Sequence, residues 1–293
     1  MKAECTTFEV ASIVFAISSD RPVDIFQEEN ARRDFISSGV PDITIHTRCD
    51  GMPGVSLPER DRVFDSDGVW SLYRVDGQNV FALISPSFGS LPYRIAAFDG
   101  DFQRGEIYTR SFESRDVSDE LLSNPLAFPL SEVLMVCLLA QGRGIMVHAC
   151  GVDDGAHGYL FAGNSTHGKT TMARLWKDRA IILNDDRIVL RRQEGRFWMY
   201  GTPWHGEYTG VSSRGVPLEK VFFLSHAETN NASRKEGVDA ASMLLARCFL
   251  PLWAEEGIRF TLDLCAQLVS EVPCYTLGFV PDEGIVDFLQ GVR

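Results

Sequence analysis

The chain has 293 residues, of which 45% are hydrophobic and 23% are charged, as expected of a globular protein with one large domain or two smaller ones. Its 40 acidic residues outnumber the 28 lysines and arginines, so the formal net charge is -12. Because such a chain repels polyanions, we expect it to bind neither nucleic acid nor an anionic membrane, although a local basic pocket for a phosphate group is compatible with this charge.

Further features of the sequence indicate a cytoplasmic protein. The longest apolar run, residues 134–140, is much shorter than the roughly 20 residues that span a bilayer. The apolar stretch near the N-terminus is short and preceded by Glu4 and Glu9, which predicts a first strand rather than a signal peptide. The seven cysteines are scattered and form no Cys-x-x-Cys pair, so we expect reduced thiols rather than disulfides or a metal–cysteine site.

Residues 1–115 predict a β-rich N-terminal region of antiparallel strands. Apolar runs flank two Asp-Gly pairs, Asp76-Gly77 and one at 99–100, and Asp-Gly between such runs is a strong short-range signal for a β-hairpin. This region shows no catalytic constellation. The polar segment 114–125 predicts the boundary with a second domain, residues 125–293, which contains both helices and strands.

A phosphate-binding loop is the most specific motif of the second domain. In residues 160–176, LFAGNSTHGKTTMARLW, an apolar strand runs into G-x-x-x-x-G-K-[ST], the Walker A pattern, and a helical pattern follows. Glycines let several backbone N–H groups point inward at phosphate oxygens, and the positive end of the following helix faces the same anion. The candidate nucleotide-binding residues are Gly163, Asn164, Ser165, Thr166, His167, Gly168, Lys169, Thr170 and Thr171.

Two adjacent carboxylates follow the next buried strand. Asp185 and Asp186 come sixteen and seventeen positions after Lys169, so the intervening helix and strand leave almost no slack and the strand returns beside the loop. Carboxylates next to a phosphate site require a counter-charge, which Mg²⁺ supplies. Asn-Asp-Asp is also ordinary turn chemistry, so a solvated turn is the alternative.

His148 lies in the strand before the loop strand. Only a short turn, residues 153–158, joins the two strands, so we expect them to be antiparallel neighbours. In common phosphate-loop NTPases the loop strand belongs to a parallel sheet, and a hairpin that feeds the loop therefore indicates a different architecture. A histidine in an apolar strand is often a core residue, but two nearby carboxylates favour a functional one.

Residues from about 130 to 231 resemble the HPr kinase/phosphorylase family, within the wider phosphoenolpyruvate-carboxykinase-like kinases. The histidine strand, the phosphate loop and the aspartate pair match that family's pieces and spacing. The resemblance implies an α/β (α+β) fold with a mixed β core and flanking helices, preceded here by the β-rich region. It also implies that the loop binds ATP, that Asp185 is the catalytic base assisted by His148, and that Thr170 and Asp186 hold Mg²⁺.

The sequence departs from the family after the aspartates. The family's Arg-Gly-x-Gly signature is missing, and YGTPWHGEY stands at residues 200–208. Glu207 is a candidate for a further metal ligand, and Trp204 with His205 for an acceptor pocket; a tight turn with a packed tryptophan is the alternative. Arg187 and Arg214 are candidates to neutralise a transferring phosphate, or else surface residues. The family's phosphocarrier acceptor is therefore not carried over.

The sequence favours an ATP-dependent, Mg²⁺-dependent kinase that transfers the γ-phosphoryl group to a hydroxyl, with a Ser or Thr of a peptide or small protein as the expected acceptor. A small-molecule kinase of the same fold is the close alternative. An ATP-binding switch without transfer activity, in which the N-terminal region docks a partner, is a second hypothesis. The resemblance also allows the reverse, phosphorylase direction. The oligomeric state is open, a homo-oligomer included.

Overall fold

The computed structural model describes residues 4–26, 29–48, 51–54, 56–110 and 123–292. The chain forms two compact units, one of Met1–Arg32 with Ile36–Cys137 and the other of Arg33–Phe35 with Leu138–Arg293. Of the predicted boundary segment 114–125, residues 114–122 lie outside the described residues. The division into domains 1–115 and 125–293 stays a prediction.

The N-terminal unit is built on an eight-stranded sheet, which confirms the predicted β-rich region. The spatial order is β1-β2-β3-β8-β7-β6-β5-β4. The strands are β1 (Glu4–Val10), β2 (Ile13–Ser19), β3 (Ile43–Arg48), β4 (Arg62–Asp65), β5 (Trp70–Val75), β6 (Gln78–Leu83), β7 (Arg94–Phe98) and β8 (Arg104–Thr109), with helix α1 (Glu29–Phe35) between β2 and β3. Both predicted hairpins are present, β5 with β6 and β7 with β8.

The expectation that all strands of this sheet are antiparallel is wrong. β3 pairs in parallel with both β2 and β8. Parallel neighbours require a crossover connection, and the segment that carries α1 supplies it between β2 and β3. The predicted first strand is in fact the hairpin β1–β2, which turns at Ala11 and Ser12 with φ values of 52° and 57°.

The second unit contains a nine-stranded mixed sheet, in which β11 pairs with β9 off the main order β14-β13-β12-β9-β10-β15-β17-β16. Helix α2 (Leu130–Leu139) precedes the first strand of this sheet in the sequence. The strands are β9 (Ile145–Asp153), β10 (Gly158–Ala162), β11 (Ile181–Asn184), β12 (Arg187–Gln193), β13 (Arg196–Tyr200), β14 (Gly215–Pro217), β15 (Lys220–His226), β16 (Asn231–Lys235) and β17 (Cys274–Phe279). The helices are α3 (Lys169–Trp176), α4 (Gly237–Leu245), α5 (Glu255–Glu271) and α6 (Gly284–Gly291).

β10 lies at the centre of this unit and is buried on both faces. Leu160 and Ala162 pack into one apolar cluster together with residues of α4 and α5. Tyr159 and Phe161 pack into a second cluster with Met172 and other residues of α3 and α6. β10 is antiparallel to β9, as predicted, and parallel to β15 on its other side. A strand held on all sides gives the loop at its end a rigid base.

The α+β class of the fold is confirmed, with two mixed sheets and a small number of helices. Among the described residues, no helix is long and apolar enough to cross a membrane. The six cysteines in the described part of the chain are free thiols, four of them buried.

Candidate functional site

The phosphate loop leaves β10 at Gly163 and ends where α3 begins at Lys169. Gly168 has a φ of 94°, and a Cβ at that position would lie 2.6 Å from Cζ of Phe279, so only glycine fits there. The loop is closed by a hydrogen bond from the His167 N–H to the Asn164 carbonyl at 3.2 Å. The predicted strand–loop–helix arrangement is therefore present.

The ammonium group of Lys169 lies against the loop. Its Nζ donates to the carbonyl oxygens of Gly163 at 3.0 Å and Asn164 at 3.1 Å, and only 7% of the residue is exposed. Burial lowers the pKa of the Lys169 ammonium, and the charges of Asp186 and Asp185 partly oppose this. A largely buried cation thus lies against the loop, in the electrostatic field of two carboxylates.

Asp185 is almost fully buried, with 1% of its surface exposed, and it accepts three hydrogen bonds. The Thr170 hydroxyl donates to Oδ2 at 2.8 Å, the Gly206 N–H to Oδ1 at 2.7 Å and the Tyr208 N–H to Oδ2 at 3.1 Å. The carboxylate therefore joins the first turn of α3 to the segment that follows β13. Burying a carboxylate is costly unless such donors compensate it.

Asp186 is held by a different set of partners. Nε2 of His148 lies 2.7 Å from Oδ1, and the Arg187 guanidinium pairs with Oδ2. Burial alone would raise the pKa of the Asp186 carboxyl, but the hydrogen bond from His148 and the charges of Arg187 and Lys169 together lower it. The side chain is 20% exposed, so an ionised carboxylate faces the surface beside a histidine.

Asn184 connects the aspartate turn to the segment after β13. Its Oδ1 accepts the N–H groups of Asp186 at 2.7 Å and Arg187 at 2.8 Å. Its Nδ2 donates to the carbonyl oxygens of Thr202 at 2.9 Å and Trp204 at 3.0 Å. One fully buried amide thus links the backbone of the aspartate turn to the backbone of the segment after β13.

Phe249 borders the pair formed by His148 and Asp186. Its ring centroid is 6.3 Å from that of His148 in an edge-to-face arrangement and 5.9 Å from the Arg187 guanidinium carbon. The backbone beside it is hydrogen-bonded to β9, since the His148 N–H donates to the Arg247 carbonyl and the Phe249 N–H to Met146. This aromatic wall comes about one hundred residues after His148.

The structure therefore brings together the loop, Lys169, both aspartates and His148. Glu207, the further predicted metal ligand, has an 82% exposed side chain whose carboxylate lies 3.7 Å from Arg174, and its metal role stays a prediction. Nδ1 of His205 is 2.8 Å from the Gly206 carbonyl.

Most of the remaining predicted residues lie at the protein surface. Asn164, Ser165 and Arg214 are exposed, and Thr171 is half-buried in the first turn of α3. Sequence reasoning did not single out Asn184, Gly206 or Phe249. The only local signal for any of them is the polar run Asn-Asp-Asp at the end of a buried strand.

No protein-family model matches the chain, and no curated protein matches it. Among solved structures, it is similar to the Hpr(Ser) kinase/phosphatase from Coxiella burnetii, with 11% sequence identity and a TM-score of 0.31. That alignment covers 50% of this chain and 86% of the other.

Proposed function

We propose that the protein is an ATP-dependent kinase whose catalytic site lies at the end of β10. One observation carries the proposal: the phosphate loop, its buried lysine and two carboxylates from the next strand converge, and one carboxylate touches the Thr170 hydroxyl at 2.8 Å. Buried charges with specific partners are typical of functional sites. The resemblance in motif and spacing to the HPr kinase/phosphorylase family supports the same activity.

The loop accounts for nucleotide binding. Backbone N–H groups between Gly163 and Gly168, together with the N-terminus of α3, suit phosphate oxygens. When a nucleotide binds, the Lys169 ammonium would turn from its two carbonyl acceptors to phosphate oxygens. The negative charge of these oxygens would balance the charge of the ammonium. The phosphoryl group in transfer carries its charge on peripheral oxygens, so the protein acts mainly by positioning and neutralising it.

Mg²⁺ fits this site through a hydroxyl–carboxylate pair. Among the described residues, no group of three or more His, Cys, Asp or Glu side chains is arranged as a metal site. Mg²⁺ commonly uses only one or two carboxylates together with substrate phosphates, and the contacting oxygens of Thr170 and Asp185 suit that role. When bound, the ion would neutralise charge on the phosphates.

The contacts favour roles for Asp185 and Asp186 that are the reverse of those that the resemblance implies. Asp185 touches Thr170, the expected magnesium ligand, whereas His148 touches Asp186. We therefore propose Asp186 as the group that accepts the proton of the acceptor hydroxyl, with His148 holding its orientation, and Asp185 as the metal-side carboxylate. The acceptor, a Ser or Thr hydroxyl of a peptide or small protein, follows from the resemblance alone.

Thermal unfolding with Mg·ATP tests the proposal. Ligand at about 100 times Kd should stabilise the parent by roughly 2.7 kcal/mol, and Lys169→Ala should remove most of that gain because the phosphates lose their cation. Lys177→Ala, which changes an exposed lysine just after the same helix, is the matched control and should keep the gain. Equal stabilisation of the parent and Lys169→Ala would refute nucleotide binding at the loop.

Transfer is measured separately with γ-labelled ATP and a set of Ser- and Thr-containing peptides and proteins. Label on a hydroxyl supports the kinase. Nucleotide binding without label on any acceptor supports the ATP-binding switch instead.

A further inference from the structure

Thr166, in the phosphate loop, has a strained backbone. Its φ is 72°, in the left-handed region, where a β-branched residue is a genuine outlier. Such residues persist only where their surroundings hold them, and they cluster at ligand sites. The loop is exposed at this residue, so packing around the side chain does not hold it.

Two histidines tie the loop to the end of β15. Nε2 of His226 lies 2.9 Å from the Thr166 carbonyl, and Nδ1 of His167 lies 3.1 Å from the Leu224 carbonyl. Carbonyl oxygens only accept, so each of these nitrogens carries the hydrogen. The rings meet edge-to-face with centroids 6.3 Å apart. We call this reciprocal pair of hydrogen bonds the histidine clasp.

The clasp lies on a rigid support. His226 is the last residue of β15, and its register partner is Phe279 at the end of β17. The Phe279 ring occupies the space beside Gly168, where a Cβ would be 2.6 Å away. The ends of two adjacent parallel strands therefore hold the loop at Thr166 and at Gly168, on either side of His167.

We propose that His226 is a positioning residue that keeps Thr166 in its left-handed conformation and so keeps the loop N–H groups directed at phosphate. The proposal rests on the proposed nucleotide site but concerns a residue outside the Walker A motif. Rotation of Thr166 to a negative φ would turn the peptide groups on both sides of it, and the hydrogen bond from the His167 N–H to the Asn164 carbonyl, which closes the loop, would be lost. The loop would then no longer present its remaining N–H groups to phosphate. His226 acts through the Thr166 carbonyl and needs no contact with the nucleotide.

A double-mutant cycle tests the link to backbone strain. His226→Ala should raise the Kd for Mg·ATP by about three- to tenfold, the range that one hydrogen bond supports. Glycine adopts positive φ without strain, so in a Thr166→Gly background the same change should raise Kd by less than about twofold. His226→Gln keeps an N–H donor and should restore part of the affinity. His157→Ala, at the opposite end of β10, is the control and should leave Kd unchanged.

Hydrogen–deuterium exchange of the ligand-free protein gives a second readout that is independent of nucleotide. Amides of residues 163–170 should exchange faster in His226→Ala and at the parent rate in His157→Ala. Unchanged Kd and unchanged exchange in His226→Ala would overturn the proposal, and an equal loss of affinity in the parent and Thr166→Gly backgrounds would show that His226 does not act through strain. If the parent fails to bind Mg·ATP, the proposed function fails, while the exchange rates still decide whether the clasp holds the loop.

Discussion

The N-terminal sheet and the phosphate-loop unit each contain a carboxylate with several donors, but the two carboxylates have different surroundings. Glu106 accepts hydrogen bonds from Tyr108 and from Arg48 at 3.2 Å, and its side chain is 46% exposed. Asp185 accepts hydrogen bonds from three donors, and only 1% of the residue is exposed. Solvent screens the first cluster, so its charges contribute little, whereas the second carboxylate depends on every partner.

The origin of the donors also differs between the two regions. The donors to Glu106 come from its own strand, β8, which carries Tyr108, and from the neighbouring strand β3, which carries Arg48. Such contacts between neighbouring side chains are ordinary in a sheet. The donors to Asp185 come from α3 and from the segment after β13. A buried charge held by separate segments is a costly arrangement that stability alone does not require, which supports a functional role.

The largest effect is expected at the aspartate pair. Asp186→Asn should reduce phosphoryl transfer by about 10²-fold or more, the lower end of general base catalysis, while Mg·ATP still stabilises the protein. Asp185→Asn should instead weaken the Mg²⁺ dependence of ATP binding. Transfer assays and ATP titrations at varied Mg²⁺ measure both, with Asp239→Asn, an exposed aspartate of α4, as control.

The reverse pair of phenotypes would contradict the assignment of roles made from the contacts. Loss of transfer in Asp185→Asn with magnesium dependence intact, and loss of that dependence in Asp186→Asn, would restore the roles that the family resemblance implies.

A smaller effect is expected from crowding the same carboxylates. A Cβ on Gly206 would lie 3.0 and 3.1 Å from the Asp185 oxygens and 3.2 Å from Cβ of Asp186. Gly206→Ala should displace them by a few tenths of an ångström and lower transfer by roughly tenfold, since catalytic geometry tolerates little displacement. Gly291→Ala, whose Cβ meets nothing within 4 Å, is the control. Full activity in Gly206→Ala would show that the site does not depend on this position.

The parts that the sequence predicted well are local. The turn at Asp76-Gly77 has φ values of 49° and 78°, and this pair of residues is well suited to such a turn. The Walker A pattern lies within one strand, loop and helix, and the predicted strand and helix are both present on either side of it. Nucleotide binding by the loop stays a prediction. Asp185 and Asp186 were predicted to lie near the loop because the connection is too short for any other course.

The parts that the sequence missed depend on distant or atypical residues. The β1–β2 turn at Ala11 and Ser12 uses residues that rarely adopt positive φ, so no turn was predicted. The parallel pairing of β3 depends on a crossover rather than on local pattern. Phe249 meets His148 only through tertiary contacts about one hundred residues along the chain. Two of the three donors to Asp185 are the backbone N–H groups of Gly206 and Tyr208, which carry no residue signature.

The smallest effect is expected at Glu106, where a substitution tests whether an exposed carboxylate contributes little to stability. The hydrogen bond from Tyr108 lowers the pKa of the Glu106 carboxyl most, with Arg48 adding to it and burial opposing it. Because the folded-state pKa is lowered, the carboxylate stabilises the protein above the ordinary glutamate pKa, and this contribution is lost as the pH falls through the folded-state value. With a side chain 46% exposed, Glu106→Gln should lower Tm by no more than about 3 °C at neutral pH.

The difference in Tm between the parent and Glu106→Gln should close as the pH falls below the ordinary glutamate pKa, and it should shrink at high salt because exposed charges are screened. Affinity for Mg·ATP should not change. A larger loss of Tm, or one that does not respond to pH and salt, would mean that Glu106 is held as tightly as Asp185. The contrast between a screened surface carboxylate and a buried one would then no longer support a functional role for Asp185.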